Sequence, residues 1–157
     1  GLQIRVLPGG ALVQTVDALS DASGWTHAAG PAPTEHTLRI AAALEPIARA
    51  LSSNAIAIGG TDPQTPATIR LFGAGAGQMD RVAACRLAVE KAGVLARGAI
   101  AFSDAFFPFA DGAGILMEAG VTTIVHPGGS KRDGETFDLC NQRGVTCLTT
   151  GVRHFRH

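Results

Sequence analysis

Charge is scarce in this sequence. Asp, Glu, Lys and Arg make up 17% of its 157 residues, against about 25% in an average domain. The 13 basic and 13 acidic side chains cancel, which excludes a broad electrostatic nucleic-acid footprint. No run of 18 apolar residues occurs, and no basic stretch leads into an apolar one. Neither a transmembrane helix nor a signal peptide is therefore expected, and no membrane contact. Cysteine is limited to Cys85, Cys140 and Cys147. None forms a C-x-x-C pair, so no disulfide scaffold or zinc ribbon is indicated, and a reduced cytoplasmic setting is expected. Lysine is limited to Lys91 and Lys131. The other basic residues are Arg, whose planar fork suits phosphate and carboxylate.

Apolar residues are plentiful at 46%, enough for one folded domain over residues 1–157. The 20 glycines and 8 prolines separate strongly apolar segments, so they read as tight turns and close backbone approaches. The chain opens on Gly1 rather than Met, as expected of a processed, trimmed or excised piece.

The pattern predicts a hairpin over residues 4–14, turning at Pro8-Gly9-Gly10. Residues 16–33 read as a loop that Trp25 pins down. Thr34 is a candidate N-cap for a helix whose stripe is Leu44, Ile47, Ala48 and Leu51, with a kink or break expected at Pro46. Strands are predicted over 53–58 and 67–72, with a turn over 59–66. Asp80 caps a helix over 81–92 that Gly93 stops. Strands over 99–102, 122–126 and 145–149 then alternate with helices over 113–119 and 133–142. This alternation predicts an α/β sandwich with a largely parallel C-terminal sheet.

Four segments are suited to chemistry. Gly73-Ala74-Gly75-Ala76-Gly77-Gln78 reads as either a structural turn or a loop aiming amides at an anion. Its G-x-G-x-G spacing is not the dinucleotide fingerprint, and Arg81 at the following helix start favours a ligand. Ser103-Asp104-Ala105-Phe106-Phe107-Pro108-Phe109-Ala110-Asp111 crowds three Phe around a Pro. It reads as either a buried aromatic corner or a stacking platform whose carboxylates accept from ring N–H groups. Pro127-Gly128-Gly129-Ser130, beside Lys131 and Arg132, is either an anion site or a turn with a Ser N-cap. Arg153-His154-Phe155-Arg156-His157 is either an anion clamp or a frayed tail, with Phe155 hinting at docking. The histidines lack zinc-site spacing, and Cys85 reads as core.

In order, Ser53-Asn54-Ala55-Ile56, Gly75-Ala76-Gly77-Gln78-Met79-x-Arg81, the Phe-rich nonapeptide, Pro127-Gly128-Gly129-Ser130-x-x-Asp133 and the terminal Arg153 to His157 resemble one family. It is the bifunctional purine biosynthesis family, in the C-terminal part of its 5-aminoimidazole-4-carboxamide ribonucleotide (AICAR) transformylase region. Residues 6–17 also resemble that family's GG-x-L-V-Q-x-x-D approach. The resemblance implies a three-layer α/β/α sandwich, cytidine-deaminase-like but without zinc, of which this chain is the second of two subdomains. It implies formyl transfer from 10-formyltetrahydrofolate to the 5-amino group of AICAR. It places Asn54, Arg81, Phe106, Arg153 and His157 at the nucleotide, with Asn54 also positioning the transferred group. It places Val82, Phe109, Asp111, Ser130 and Lys131 at the folate, and it implies no metal.

The departures from that family are specific. Its catalytic Lys-His pair lies in the first subdomain, and no Lys-His dipeptide occurs here. Its Lys before Ser-Asn-Ala is Ser52, the aromatic of its preceding helix is Glu45, and Asp80 stands where it has Ser. Its upstream cyclohydrolase domain is not among these residues. The expectation is a half-site completed by another chain or a first subdomain, as a homodimer or heteromer. The alternative is a non-catalytic module of the same fold that binds folate or nucleotide.

Overall fold

A computed structural model describes residues 2–15 and 17–156. Strands β1 (Leu2–Leu7) and β2 (Gly10–Thr15) form the predicted hairpin as a separate antiparallel sheet. Ile4 pairs with Val13 and Val6 with Ala11. Directly opposed residues share a face, so one side of the hairpin is apolar, and Ile4, Val6 and Val13 are exposed there.

The remaining strands are β3 (Thr26–Ala29), β4 (Ile56–Thr61), β5 (Ile69–Gly75), β6 (Ile100–Ser103), β7 (Thr123–His126) and β8 (Thr146–Thr149). They form one sheet in the order β3-β8-β7-β6-β4-β5. Strands β6, β7 and β8 are parallel, as the alternation predicted. β4 runs antiparallel to β5 and β6, and β3 antiparallel to β8.

Both faces are covered. Ala57, Ile100, Phe102, Val125 and Leu148 pack on one side with Ile40, Ala41, Leu44 and Ala48 of α1 (Glu35–Ala50). Ile56, Ile58, Ala101, Ile124 and Cys147 point to the other. There they meet α2 (Arg81–Ala92), α3 (Ala110–Glu118) and α4 (Asp133–Arg143). Adjacent strand residues thus feed opposite cores, which is why the strands read as unbroken apolar runs.

The helix boundaries follow local chemistry. The Thr34 hydroxyl accepts from the Thr37 N–H at 3.1 Å and the Asp80 carboxylate from the Ala83 N–H at 2.7 Å. Gly93 and Gly144 end α2 and α4 at positive φ. Ser130 is not the cap of α4: its hydroxyl accepts from the Arg132 N–H, and Arg132 occupies the cap position without a side-chain bond.

Four expectations are corrected. Helix α1 is not broken at Pro46. The ring removes one backbone donor, but Leu44, Glu45 and Ala48 are buried on both sides of it and hold the helix together. The loop over 16–33 contains β3, which has no strong strand sequence of its own and forms by pairing with β8. Strands β4 and β5 each lie a few residues later than predicted, so Gly59 and Gly60 are strand rather than turn. Gly73 and Gly75 likewise belong to β5, not to a ligand loop. A Cβ on Gly75 would sit 2.1 Å from the Ala84 carbonyl oxygen, and one on Gly73 2.3 Å from that of Ala88. These glycines let α2 rest directly on the strand backbone.

Candidate active site

Because β4 opposes its neighbours, its entry lies at the same sheet end as the exits of β5, β6, β7 and β8. Asn54, Gln78, Arg81, the Phe-rich segment, residues 127–131 and the tail all emerge there. The exits of parallel strands are where open α/β sheets place ligands.

The centre of this end is a buried ion pair. Arg81 opens α2 with 5% of its surface exposed, and Asp104 follows β6 with none. Arg81 Nη1 donates to Asp104 Oδ1 at 2.5 Å and to the Ala55 carbonyl at 2.9 Å. Asp104 also accepts from the Ala55 N–H at 3.1 Å and from the Ser53 hydroxyl at 2.5 Å. Buried charge is tolerated when it is paired and its remaining polar atoms are satisfied, and for Asp104 both conditions hold.

Asn54 sits at the open edge of this pair. Its Oδ1 accepts from Arg81 Nη2 at 3.0 Å, and its Nδ2 donates to the Gln78 carbonyl at 3.0 Å. These two partners fix which way the amide points. Asn54 is half-buried, with one such bond on each of its amide atoms. The Nε of Arg81 is buried and has no hydrogen-bond partner.

The tail is docked, not frayed. The His154 N–H donates to the Asp104 carbonyl at 2.8 Å, the Ser53 N–H to the Arg156 carbonyl at 2.7 Å, and the Arg156 N–H to the Ser53 hydroxyl at 3.0 Å. His154 is fully buried. Its Nδ1 lies 2.7 Å from Asp17 Oδ1 and its Nε2 3.0 Å from Glu45 Oε1. Arg153 is exposed and Phe155 half-buried, with the guanidinium 4.4 Å from the ring centroid. His157 lies outside the described residues.

The Phe-rich segment divides its labour. Phe107 is core, edge-on to His126 at 5.4 Å. Phe106 is half-buried. Phe109 is 50% exposed beneath the Arg132 guanidinium at 4.8 Å. Asp104 is not an acceptor for a ligand, because Arg81, Ser53 and Ala55 occupy it. Asp111 is exposed in the first turn of α3, and its carboxylate accepts from the Gly112 N–H. Val82 is half-buried one residue beyond Arg81, and Lys131 is exposed beside Ser130. A cleft of about 260 Å³ opens alongside, lined by Gly128, Gly129, Asp133, Phe137 and Thr150.

His126 ends β7 at the floor of this region. Its Nδ1 accepts from the Gly128 N–H at 3.1 Å, leaving Nε2 to face Cys147 Sγ at 3.5 Å. Burial pushes its pKa down to about 4; the Asp133 charge opposes this and the Arg81 charge adds to it. Burial raises Cys85 to about 12. The thiol hydrogen bond between Cys140 and Cys147 pushes Cys147 up and Cys140 down. Among the described residues, no group of three His, Cys, Asp or Glu side chains is placed to hold a metal ion.

The family model described as "AICARFT/IMPCHase bienzyme" matches residues 1–91. The chain belongs to this family. It is 47% identical over its whole length to the "Bifunctional purine biosynthesis protein PurH" of Mycobacterium leprae (strain TN). It is 43% identical to the protein of that name from Corynebacterium glutamicum (strain R) and 41% to that from Cutibacterium acnes. It spans only 29–30% of the length of these curated relatives. The family is one of bifunctional purine-biosynthesis enzymes. Among the described residues no helix is long and apolar enough to cross a membrane.

Sequence reasoning missed one buried side-chain cluster beside this site. Glu45, Asp17 and His154 come together from three distant segments. The available signal was a carboxylate inside the apolar stripe of α1, since a buried Glu requires a partner.

Proposed function

We propose that this chain is half of an AICAR formyltransferase site, which directs formyl transfer from 10-formyltetrahydrofolate onto the 5-amino group of AICAR. The observation that carries the reading is the Asn54–Arg81 pair at the open sheet end. Asn54 offers one fixed donor and one fixed acceptor, suited to the carboxamide and amine of an imidazole nucleotide. Arg81, itself paired with Asp104, locks that orientation. Arg153 supplies an outward cation for the phosphate, and Phe106 a wall for the imidazole ring. His157 would reach the nucleotide from the tail. Val82, Phe109, Asp111, Ser130 and Lys131 would form the folate side, with Asp111 accepting from pterin N–H groups.

The sandwich would be of the cytidine-deaminase-like type, serving as the second transformylase subdomain in a cytoplasmic enzyme that uses no metal. The chain orients the two substrates, and orientation alone contributes several kcal/mol to such a transfer. It carries no Lys-His pair to relay protons. A first transformylase subdomain, from a second copy or another chain, would complete the site as a homodimer or heteromer.

A formyl-transfer assay with and without a first-subdomain partner tests this. Turnover only with the partner is expected. Turnover by the chain alone overturns the partner requirement, and no turnover with any partner overturns the enzyme reading.

The second reading is a module that binds nucleotide or folate without catalysis. It is favoured by the complete internal pairing of Asp104, which leaves no free carboxylate at the centre. Calorimetry with AICAR and with the folate separates the two readings when transfer is absent, and binding of neither ligand overturns this second one.

A further inference from the structure

We propose that Asp17, His154 and Glu45 form a clamp that positions the C-terminal tail against the Arg81–Asp104 centre, with Glu45 and His154 acting as positioning residues for nucleotide binding. The nucleotide part of this inference rests on the function proposed above; the clamp itself does not.

The clamp is built from three separate regions of the chain. His154 is fully buried, with one carboxylate facing each ring nitrogen. Each carboxylate is in turn held. Glu45 Oε1 accepts from the Ser20 N–H at 2.7 Å and from the Ser20 hydroxyl at 2.6 Å. That hydroxyl accepts from Trp25 Nε1 at 2.6 Å. Asp17 Oδ2 lies 3.4 Å from Arg49 Nε, and its backbone carbonyl accepts from Arg49 Nη2. A carboxylate oxygen thus faces each edge of the ring, and Ser20 and Arg49 hold those carboxylates in turn, so the ring is fixed from both sides.

The clamp reaches the site through the backbone. The His154 N–H holds the Asp104 carbonyl, and two residues on, Arg156 exchanges bonds with Ser53, whose hydroxyl donates to Asp104. Anchoring His154 inward also sets the register of the tail. Its neighbour Arg153 is left exposed, with its guanidinium over the half-buried Phe155 ring, which is where an anion-binding Arg is needed. A tail slipped by one residue would bury Arg153 and release Ser53.

Amide hydrogen exchange and AICAR calorimetry, run on the chain together with its partner subdomain, test the clamp. In His154→Ala, exchange at the Ser53, His154 (now Ala) and Arg156 amides should rise at least tenfold, with Ala101 and Ile124 in the core unchanged. AICAR affinity should fall at least tenfold. His154→Gln, which keeps one side-chain donor, should recover part of both. Arg153→Ala should lose affinity while leaving tail exchange unchanged. Unchanged tail exchange in folded His154→Ala overturns the clamp. Raised exchange with affinity within twofold of the parent overturns its link to the nucleotide. If His154→Ala does not fold, Glu45→Gln carries the same two readouts. A parent protein that binds no AICAR overturns the function proposed above, while the exchange measurements still decide the clamp.

Discussion

Arg81 donates to Asp104 at 2.5 Å, and between them they leave almost no surface to solvent. Removing one member strands the other as a buried, unpaired charge, at a cost of about 3–5 kcal/mol. Asp104→Ala should therefore lose that much in a urea titration, a large share of the about 5–15 kcal/mol typical of a whole domain. Asp104→Asn, which keeps an acceptor for the Ala55 N–H, should lose less. Equal losses would mean that the charge is not what the site requires.

In the proposed function Asn54 orients the nucleotide at the sheet end. Asn54→Ala should reduce formyl transfer by the reconstituted site by about a hundredfold, as loss of one oriented polar group does elsewhere. Its melting temperature should move only a few degrees. A variant with unchanged kcat and KM would remove Asn54 from the site.

The glycines of β5 admit helix α2, so Gly75→Ala must push the helix off the strand. Overpacking of this kind costs about 1–3 kcal/mol. Gly134 in α4 has nothing within 4 Å of the position a Cβ would take, and no positive φ. Gly134→Ala should instead stabilise by about 0.5 kcal/mol. Thermal melts of the two variants should move in opposite directions.

His126 makes the fold acid-sensitive. Its folded pKa is about 4 against an ordinary 6.5, because burial disfavours the charged ring. Between these values the unfolded chain binds more protons than the folded one, so stability falls as the pH drops from 6.5 toward 4. The loss reaches roughly 3 kcal/mol. His126→Asn should flatten that part of the pH profile of the urea midpoint relative to the parent. Parallel profiles would contradict the assignment.

Cys85, raised to about 12 by burial, carries roughly a thousandfold less thiolate at a given pH than an ordinary protein thiol. It should stay unlabelled by iodoacetamide at pH 8 in the folded protein and label readily in urea, as read by mass spectrometry. Labelling in the folded state would show that α2 opens locally.

Features written in neighbouring residues were legible in the sequence. Thr34 and Asp80 announced their helices, Gly93 the end of α2, and the alternation after residue 93 its parallel strands. Strand β3 was not legible, because Thr26-His27-Ala28-Ala29 gains its structure only from β8, about 120 positions away. The glycines of β5 suggested a ligand loop because their true partner, the backbone of α2, cannot be read locally. Asp104 stood in an aromatic motif that read as either a buried corner or a ligand platform, and its partner Arg81, 23 residues upstream, decides for the buried corner at Asp104. The clamp was hardest to see. Its carboxylates lie 137 and 109 positions from His154, and Glu45 registered only as an oddity beside Pro46.

The bond between Ser53 and Arg156 joins positions 103 apart. A ribosome delivering this chain exposes Ser53, Arg81 and Asp104 long before residues 154–156 leave the exit tunnel. During that interval Asp104 lacks its tail, Ser53 lacks both partners on Arg156, and the entry to β4 lies uncovered. Premature termination just before residue 154 would thus yield a chain with nearly all of its core and an unfinished centre.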